Sequence, residues 1–248
     1  MGFGSRLPKK KKIKSMEKQN IAVPIAIVIA GIIIAGAVFY SSKSKPTDNG
    51  NQIPPKDNQD ISGPKDISSE DHILGNPRRQ IAIVEFSDTE CPYCKNFHQT
   101  MNQVMDEYGK TGKVKWIYRH FPLDDRHDKA RKEAEATECA ADLGGNEKFW
   151  VYINRLYEIT PSNNGLDLAE LPKIAEYAGL DKKAFESCLA SGKFAAKVEA
   201  NYQDGLNAGV EGTPYSVIIS KDGKKYPLSG ALPYQQIKIA IDQILEVK

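Results

Sequence analysis

Cys91-Pro92-Tyr93-Cys94 constrains this chain more than any other stretch of it. The two thiols sit two residues apart, directly after the apolar run Ile81-Ala82-Ile83-Val84-Glu85-Phe86, and the residues that follow have helical spacing. The pattern reads as strand, exposed dithiol, helix. Two cysteines in the first turn of a helix close a disulfide with little backbone movement. The helix N-terminus carries partial positive charge, which favours the thiolate of the first cysteine. The thiolate is the species that attacks a disulfide.

The N-terminal part is organised for another purpose. Lys9 to Lys12, Lys14 and Lys18 precede a long uncharged run, Ile21 to Tyr40. At about 1.5 Å per residue such a helix spans roughly 30 Å, the thickness of a bilayer core. Residues 21–40 are therefore expected to form a single transmembrane signal-anchor behind a basic cytoplasmic tail, residues 1–20, leaving the rest extracytoplasmic. A cleaved signal peptide is the competing reading, since Ala35-Gly36-Ala37 resembles an A-x-A site. But the apolar run exceeds the roughly 7–15 residues usual for a secretory h-region. Either way the remainder is exported. Residues 1–40 hold seven of the 34 basic and one of the 32 acidic residues, so the remainder carries 27 and 31, a net of −4. The overall charge of +2 is thus a topology signal, and no nucleic-acid partner is expected.

Residues 41–71 are rich in Ser, Lys, Pro, Asn, Asp and Gly. They read as a flexible polar linker with a reach of roughly 30 Å. A globular domain is expected over 72–248. Ile81 to Ser87 is a buried strand. The helix after the dithiol places Phe97, Met101, Val104, Met105 and Tyr108 on one face, and Gly109 and Gly112 end it. Val114, Trp116 and Tyr118 alternate on a second strand. A helical stretch follows over about 124–209, punctuated at Gly144-Gly145, Pro161 to Gly165, Gly179 and Ser191-Gly192, with capping signals at Asp167 and Asp181. Tyr215 to Ser220 and Lys224 to Leu228 read as a hairpin around Asp222-Gly223, and Ile237, Ile241, Ile244 and Leu245 mark a last helix. The expected class is α/β, in the order βαβ, helical insertion, ββα.

That order resembles the DsbA-like branch of the thioredoxin superfamily, over about residues 72 to 247. Four matches carry the resemblance: the dithiol after a strand; Glu85 six residues before Cys91; Val210-Glu211-Gly212-Thr213-Pro214 before a late strand; and Arg119-His120-Phe121-Pro122-Leu123 with the Cys139-to-Trp150 stretch at the start of the insertion. The resemblance implies a thioredoxin fold with an all-helical insertion. It implies a buried acid at Glu85, a cis peptide at Thr213-Pro214 that packs on the dithiol, and a backbone there that pairs with an extended substrate peptide.

Cys91 is the expected nucleophile, partly exposed, and Cys94 the more buried resolving thiol. Pro92 suits the first helical turn, and Pro92 and Tyr93 together tune the site. Glu85 reads as a proton acceptor for Cys94, or else as an edge-facing acid that ends the strand. Asp88 and Glu90 would raise the Cys91 pKa if close. Cys139 shares a helix face with Ala136, Ala140 and Leu143, and Cys188 with Ala184, Phe185 and Leu189. The two are expected to form a structural disulfide, the alternative being two separate buried thiols. His98, four residues after Cys94, keeps a zinc site in view, but no second CxxC or paired His follows. It reads as an ordinary helix-flank histidine, and His120 and His127 as surface or packing residues. No metal and no cofactor is expected.

The leading functional expectation is a membrane-tethered thiol:disulfide oxidoreductase that forms disulfides in exported proteins. The resemblance suggests reoxidation by a DsbB-like or VKOR-like membrane partner. The alternatives are an isomerase or reductase kept reduced by an electron donor, and a non-catalytic envelope chaperone.

Overall fold

In a computed structural model, Met1 and residues 63–76 and 81–246 are described. The chain divides into two units, residues 1–52 and 53–248, and the fold set out below belongs to the second. The expected basic tail, anchor and most of the linker lie outside the described residues. Among those described, no helix is long and apolar enough to cross a membrane.

The elements run β1 (His72–Gly75), β2 (Ile81–Ser87), α1 (Pro92–Val104) with a π-helical turn over Met105–Gly109, β3 (Val114–His120), α2 (Ala130–Ile159), a 3-10 turn (Leu168–Glu170) leading into α3 (Leu171–Tyr177), α4 (Lys182–Ser191), α5 (Ala195–Asn207), β4 (Tyr215–Ile219), β5 (Lys225–Ser229) and α6 (Tyr234–Glu246). The sheet has the order β1-β3-β2-β4-β5. The pair β2 and β3 is parallel, with α1 as the crossover, and every other pair is antiparallel. Strand β2 lies at the centre and every residue of it is buried, which is why it reads as a continuous apolar run.

Three clusters make the interior. On one face of the sheet, Ile81, Ile83, Trp116 and Ile218 pack against Phe97 and Met101 of α1 and Ile237 and Ile241 of α6. On the other, Val84, Phe86 and Ile117 pack with Phe121 and Val210. There α5 approaches so closely that a Cβ on Gly205 would run into the Phe121 ring. The insertion has its own core, in which Tyr152, Leu156, Leu171 and Phe185 surround a disulfide between Cys139 and Cys188. Asp181 caps α4 by accepting from Ala184 N, 2.8 Å, and Asp167 caps the 3-10 turn through Ala169 N, 2.9 Å.

Three features depart from the sequence expectation. Gly144-Gly145 does not end a helix; α2 runs across it, kinked where Gly145 adopts φ 76°. The sheet has a further strand, β1, which is too short to show alternation. And the polar segment before it is not all linker. Residues 63–71 are held to the domain by polar anchors and by Ile67, which packs against the Val84, Phe86 and Ile117 cluster. Arg119 Nε donates to Asp71 Oδ1 at 2.8 Å, its Nη1 to Asp204 Oδ2 at 2.6 Å and to the Lys65 carbonyl at 3.0 Å, and Lys65 N donates to Asp204 Oδ1.

Candidate active site

The antiparallel register sets Phe86 of β2 opposite Tyr215 of β4, so the loop leaving β2 meets the loop entering β4. The first carries the dithiol. Cys91 is the N-cap residue of α1, extended at φ −79° and ψ 121°, with Pro92 opening the helix, and Lys95 N donates to Cys91 O at 3.0 Å. The second loop carries the cis Thr213–Pro214 peptide. The Cys91 thiol donates to the Thr213 carbonyl at 3.6 Å, and Cys94 Sγ accepts from Asp88 N at 3.4 Å. Both cysteines are free thiols. Cys91, expected to be partly exposed, is 3% exposed, because the Thr213 loop lies against it; Cys94 is fully buried. Tyr93 between them is 66% exposed and presents the outer surface of the site. Beside the cis peptide, Gly209 and residues 211–215 with Ser229 and Gly230 line a cleft of about 330 Å³.

The two thiols differ sharply in acidity. A hydrogen bond from the Cys94 thiol lowers Cys91 from 9.0 to about 6. Burial works against that shift, while the N–H groups of Cys94 and Tyr93 and the Thr213 side chain reinforce it. Burial pushes Cys94 well above 9.0, and its bond to Cys91 pushes it further. A depressed first thiol and an elevated second one are the electrostatic arrangement that dithiol exchange needs.

Glu85 lies on the central strand, not at an edge, and is fully buried. Burial raises its pKa from 4.5 to about 7. It does so even though Trp116 Nε1 donates to Glu85 Oε2 at 2.8 Å. Its Oε1 has no hydrogen-bond partner among the described residues.

A family model described as thioredoxin matches residues 68–243. The chain belongs to the thioredoxin family. The structure of this thioredoxin-family chain is similar to that of alpha-DsbA1 from Wolbachia pipientis, with a TM-score of 0.62 and 25% identity over 72% of this chain and 92% of that one. DsbA2 of Pseudomonas aeruginosa has the same fold, with a TM-score of 0.61 and 24% identity over 73% of this chain and 99% of that one. Among curated relatives, the Na(+)/H(+) antiporter NhaA 3 of Salinispora tropica is 31% identical over 144 residues, 58% of this chain. The chain spans only 21% of that antiporter's length, so the match is to one segment of it. The dithiol, the fold and the insertion together make this a DsbA-like thioredoxin-family protein, in the class of thiol:disulfide oxidoreductases.

Around the thioredoxin-family dithiol, the remaining titratable residues differ from their sequence reading. Asp88 and Glu90, expected to raise the Cys91 pKa, do not prevail. Asp88 binds His127 Nδ1 at 2.9 Å and accepts from Leu123 N at 2.7 Å, and the Glu90 carboxylate accepts from Asn164 N. That contact belongs to a left-handed turn, Ser162-Asn163-Asn164, in which Asn163 N also donates to the Glu90 carbonyl at 2.7 Å. His98 is no flank residue. It is buried against Tyr157 and Trp116, with Nε2 bonded to Asn154 Oδ1 at 2.6 Å, and burial lowers its pKa to about 4. Among the described residues, no group of three His, Cys, Asp or Glu side chains is placed to hold a metal. His120 and His72 both bind Glu138, and despite burial they hold its carboxyl below the ordinary range.

Sequence reasoning missed three hydroxyls beside Cys94: Ser87, Tyr118 and Tyr157. Ser87 was legible in principle, two residues after Glu85 and hence on the same strand face. Tyr157 lies in α2, and no local signal in the sequence brings it to the sheet. Glu133 was missed as well; burial and the neighbouring Glu90 raise its pKa to about 9.

Proposed function

We propose that this protein forms disulfides in exported proteins by dithiol–disulfide exchange at Cys91 and Cys94, tethered to the cell membrane by residues 21–40 with the catalytic domain outside the cytoplasm. The observation that carries the reading is the split between the thiols, Cys91 lowered to about 6 and Cys94 raised well above 9.0. In the oxidised form a substrate thiolate attacks Cys91 Sγ. The Cys91–Cys94 bond breaks and its electron pair leaves on Cys94. A second substrate thiolate then attacks the substrate sulfur and releases Cys91 as a thiolate. A thiol of low pKa is a good leaving group, and stabilising the reduced form makes the oxidised form the stronger oxidant. Glu85 is the proton reservoir for Cys94, poised near neutrality by its burial. Thr213 and Pro214 hold an extended substrate by its backbone, in the cleft beside them. The dithiol is returned to its oxidised form by a DsbB-like or VKOR-like membrane enzyme.

The test is a glutathione redox titration of the full-length protein in detergent, with the state of each cysteine mapped by mass. A potential of about −120 to −180 mV supports the oxidase reading, and one near −270 mV turns the assignment to a reductase fed by an electron donor. Retention of dithiol oxidation by Cys91→Ser would leave only the binding role of an envelope chaperone.

A further inference from the structure

Every time the dithiol turns over, Cys94 must gain or lose a proton in a place water does not reach. Cys94 and Glu85 are fully buried and Ser87 is nearly so. Strand alternation puts Glu85 and Ser87 on the face of β2 shared with Ile81 and Ile83, the face against which α1 lays Cys94. Ser87 follows Glu85 by two residues on that face and precedes Asp88, whose N–H donates to Cys94 Sγ at 3.4 Å, and the Ser87 hydroxyl lowers the pKa of both Glu85 and Cys94. Glu85 Oε1, otherwise without a partner among the described residues, is left open to such a donor.

The surrounding phenols hold this hydroxyl in place. Ser87 Oγ is 3.0 Å from Tyr157 Oη, which is 3.0 Å from Tyr118 Oη and donates to the Asp88 carbonyl at 3.2 Å. Burial keeps both phenols well above 10.0, so they stay protonated. Tyr157 has one proton to donate, and when it turns from the Asp88 carbonyl to Ser87 Oγ the serine proton is free to turn toward the thiol or the carboxyl.

We propose that Ser87 is the proton conduit between Glu85 and Cys94, an inference that rests on the reading of those two residues as reservoir and resolving thiol. When a substrate thiolate cleaves the Cys91–Cys94 bond, the electron pair departs on Cys94 Sγ. The Ser87 O–H proton passes to that sulfur while the Glu85 carboxyl proton passes to Ser87 Oγ. The products are a Cys94 thiol, an intact Ser87 hydroxyl and a Glu85 carboxylate, which keeps the Trp116 N–H bond. Reoxidation runs the same transfers backwards, leaving Cys94 as the thiolate that attacks the mixed disulfide.

The experiment measures reduction of the oxidised full-length protein by dithiothreitol from acid to alkaline pH, with Cys94 release read by rapid alkylation and mass. Ser87→Thr and Ser87→Val differ by a hydroxyl at nearly equal shape, so any packing cost falls on both. The Val variant is expected to be about 10- to 100-fold slower than the Thr variant. It is also expected to lose the inflection near pH 7, where Glu85 titrates. Adding Glu85→Gln to Ser87→Val is expected to slow it no further. Equal rates and equal profiles in the Thr and Val variants would overturn the conduit while leaving the dithiol chemistry standing. An unchanged profile in Glu85→Gln alone would remove the reservoir, and the conduit with it. Persistence of exchange in Cys91→Ser would instead overturn the underlying reading.

Discussion

The Cys91 thiol donates to the carbonyl of Thr213 although 122 residues separate them. The contact follows from topology: β2 and β4 are antiparallel neighbours, so the end of one and the beginning of the other lie side by side at the same end of the sheet. Cys91 is thereby seated between a helix N-terminus and a loop of distant sequence, and its acidity depends on both.

Thr213→Val separates the two contributions of that loop. The carbonyl stays and the side-chain hydroxyl, which favours the Cys91 thiolate, is lost. The Cys91 pKa is expected to rise above about 6. The rise is expected to be less than a factor of about ten in ionisation constant, or roughly 1.4 kcal/mol. Thiolate absorbance in the ultraviolet, followed against pH, reads the change directly. A pKa that stays put or falls would show that the Thr213 side chain plays no part.

Glu85 makes stability depend on pH. Its folded pKa, about 7, lies above its ordinary 4.5, so the folded chain holds this proton more tightly than the unfolded chain does. The stability it contributes is full below pH 4.5 and is lost as pH rises through about 7. Glu85→Gln removes that loss. Denaturant unfolding of the reduced protein is expected to show the variant more stable by up to about 3 kcal/mol at alkaline pH, with no gain below about pH 4.5. A variant less stable than the native chain at alkaline pH would contradict this.

These two residues show how unevenly the sequence discloses the site. The dithiol was legible from its own spacing and Glu85 from its apolar flanks, whereas the cis Thr213-Pro214 peptide and its place at the dithiol were legible only through the family resemblance. The burial of Cys91 was not, because it is imposed by the loop that leads into β4. His98 read as a helix-flank histidine because helical spacing gives a face but not what covers it; Tyr157 and Asn154, both from α2, cover it. The same limit hid β1 and the docking of residues 63–71, where Arg119 and Asp204 supply the anchors and Ile67 is a lone apolar residue with no pattern around it. The order of the remaining elements was legible because each carries its own periodicity and turn residues.

That arginine gives a third prediction. Arg119 is buried between Asp71 and Asp204, and Arg119→Ala leaves both carboxylates without their cation. Removal of one partner from a buried ion pair costs about 3–5 kcal/mol. Limited proteolysis is expected to cut within residues 63–71 far faster than in the native chain. Unchanged protection there would show that the segment is held by something else.

The insertion supplies a fourth. The Cys139–Cys188 bridge closes a loop with a sequence separation of 49. The chain-entropy model values a loop of that length at about 4 kcal/mol. A double Cys139→Ala, Cys188→Ala variant is expected to melt at a distinctly lower temperature while Cys91 keeps its pKa near 6. A large change in that pKa would mean that the insertion core is coupled to the dithiol.

That bridge also makes the protein a customer for its own kind of chemistry. Each new copy leaves synthesis with four thiols, and two of them must be oxidised before α2 and α4 are tied together. The other pair, Cys91 and Cys94, has to stay interconvertible for the whole life of the molecule. Maturation therefore asks an oxidant to treat two cysteine pairs in one chain differently, closing one for good and leaving the other reversible. The fold separates them by surroundings: Cys139 and Cys188 are sealed in the insertion core, and Cys91 is set at a helix N-terminus beneath a single loop.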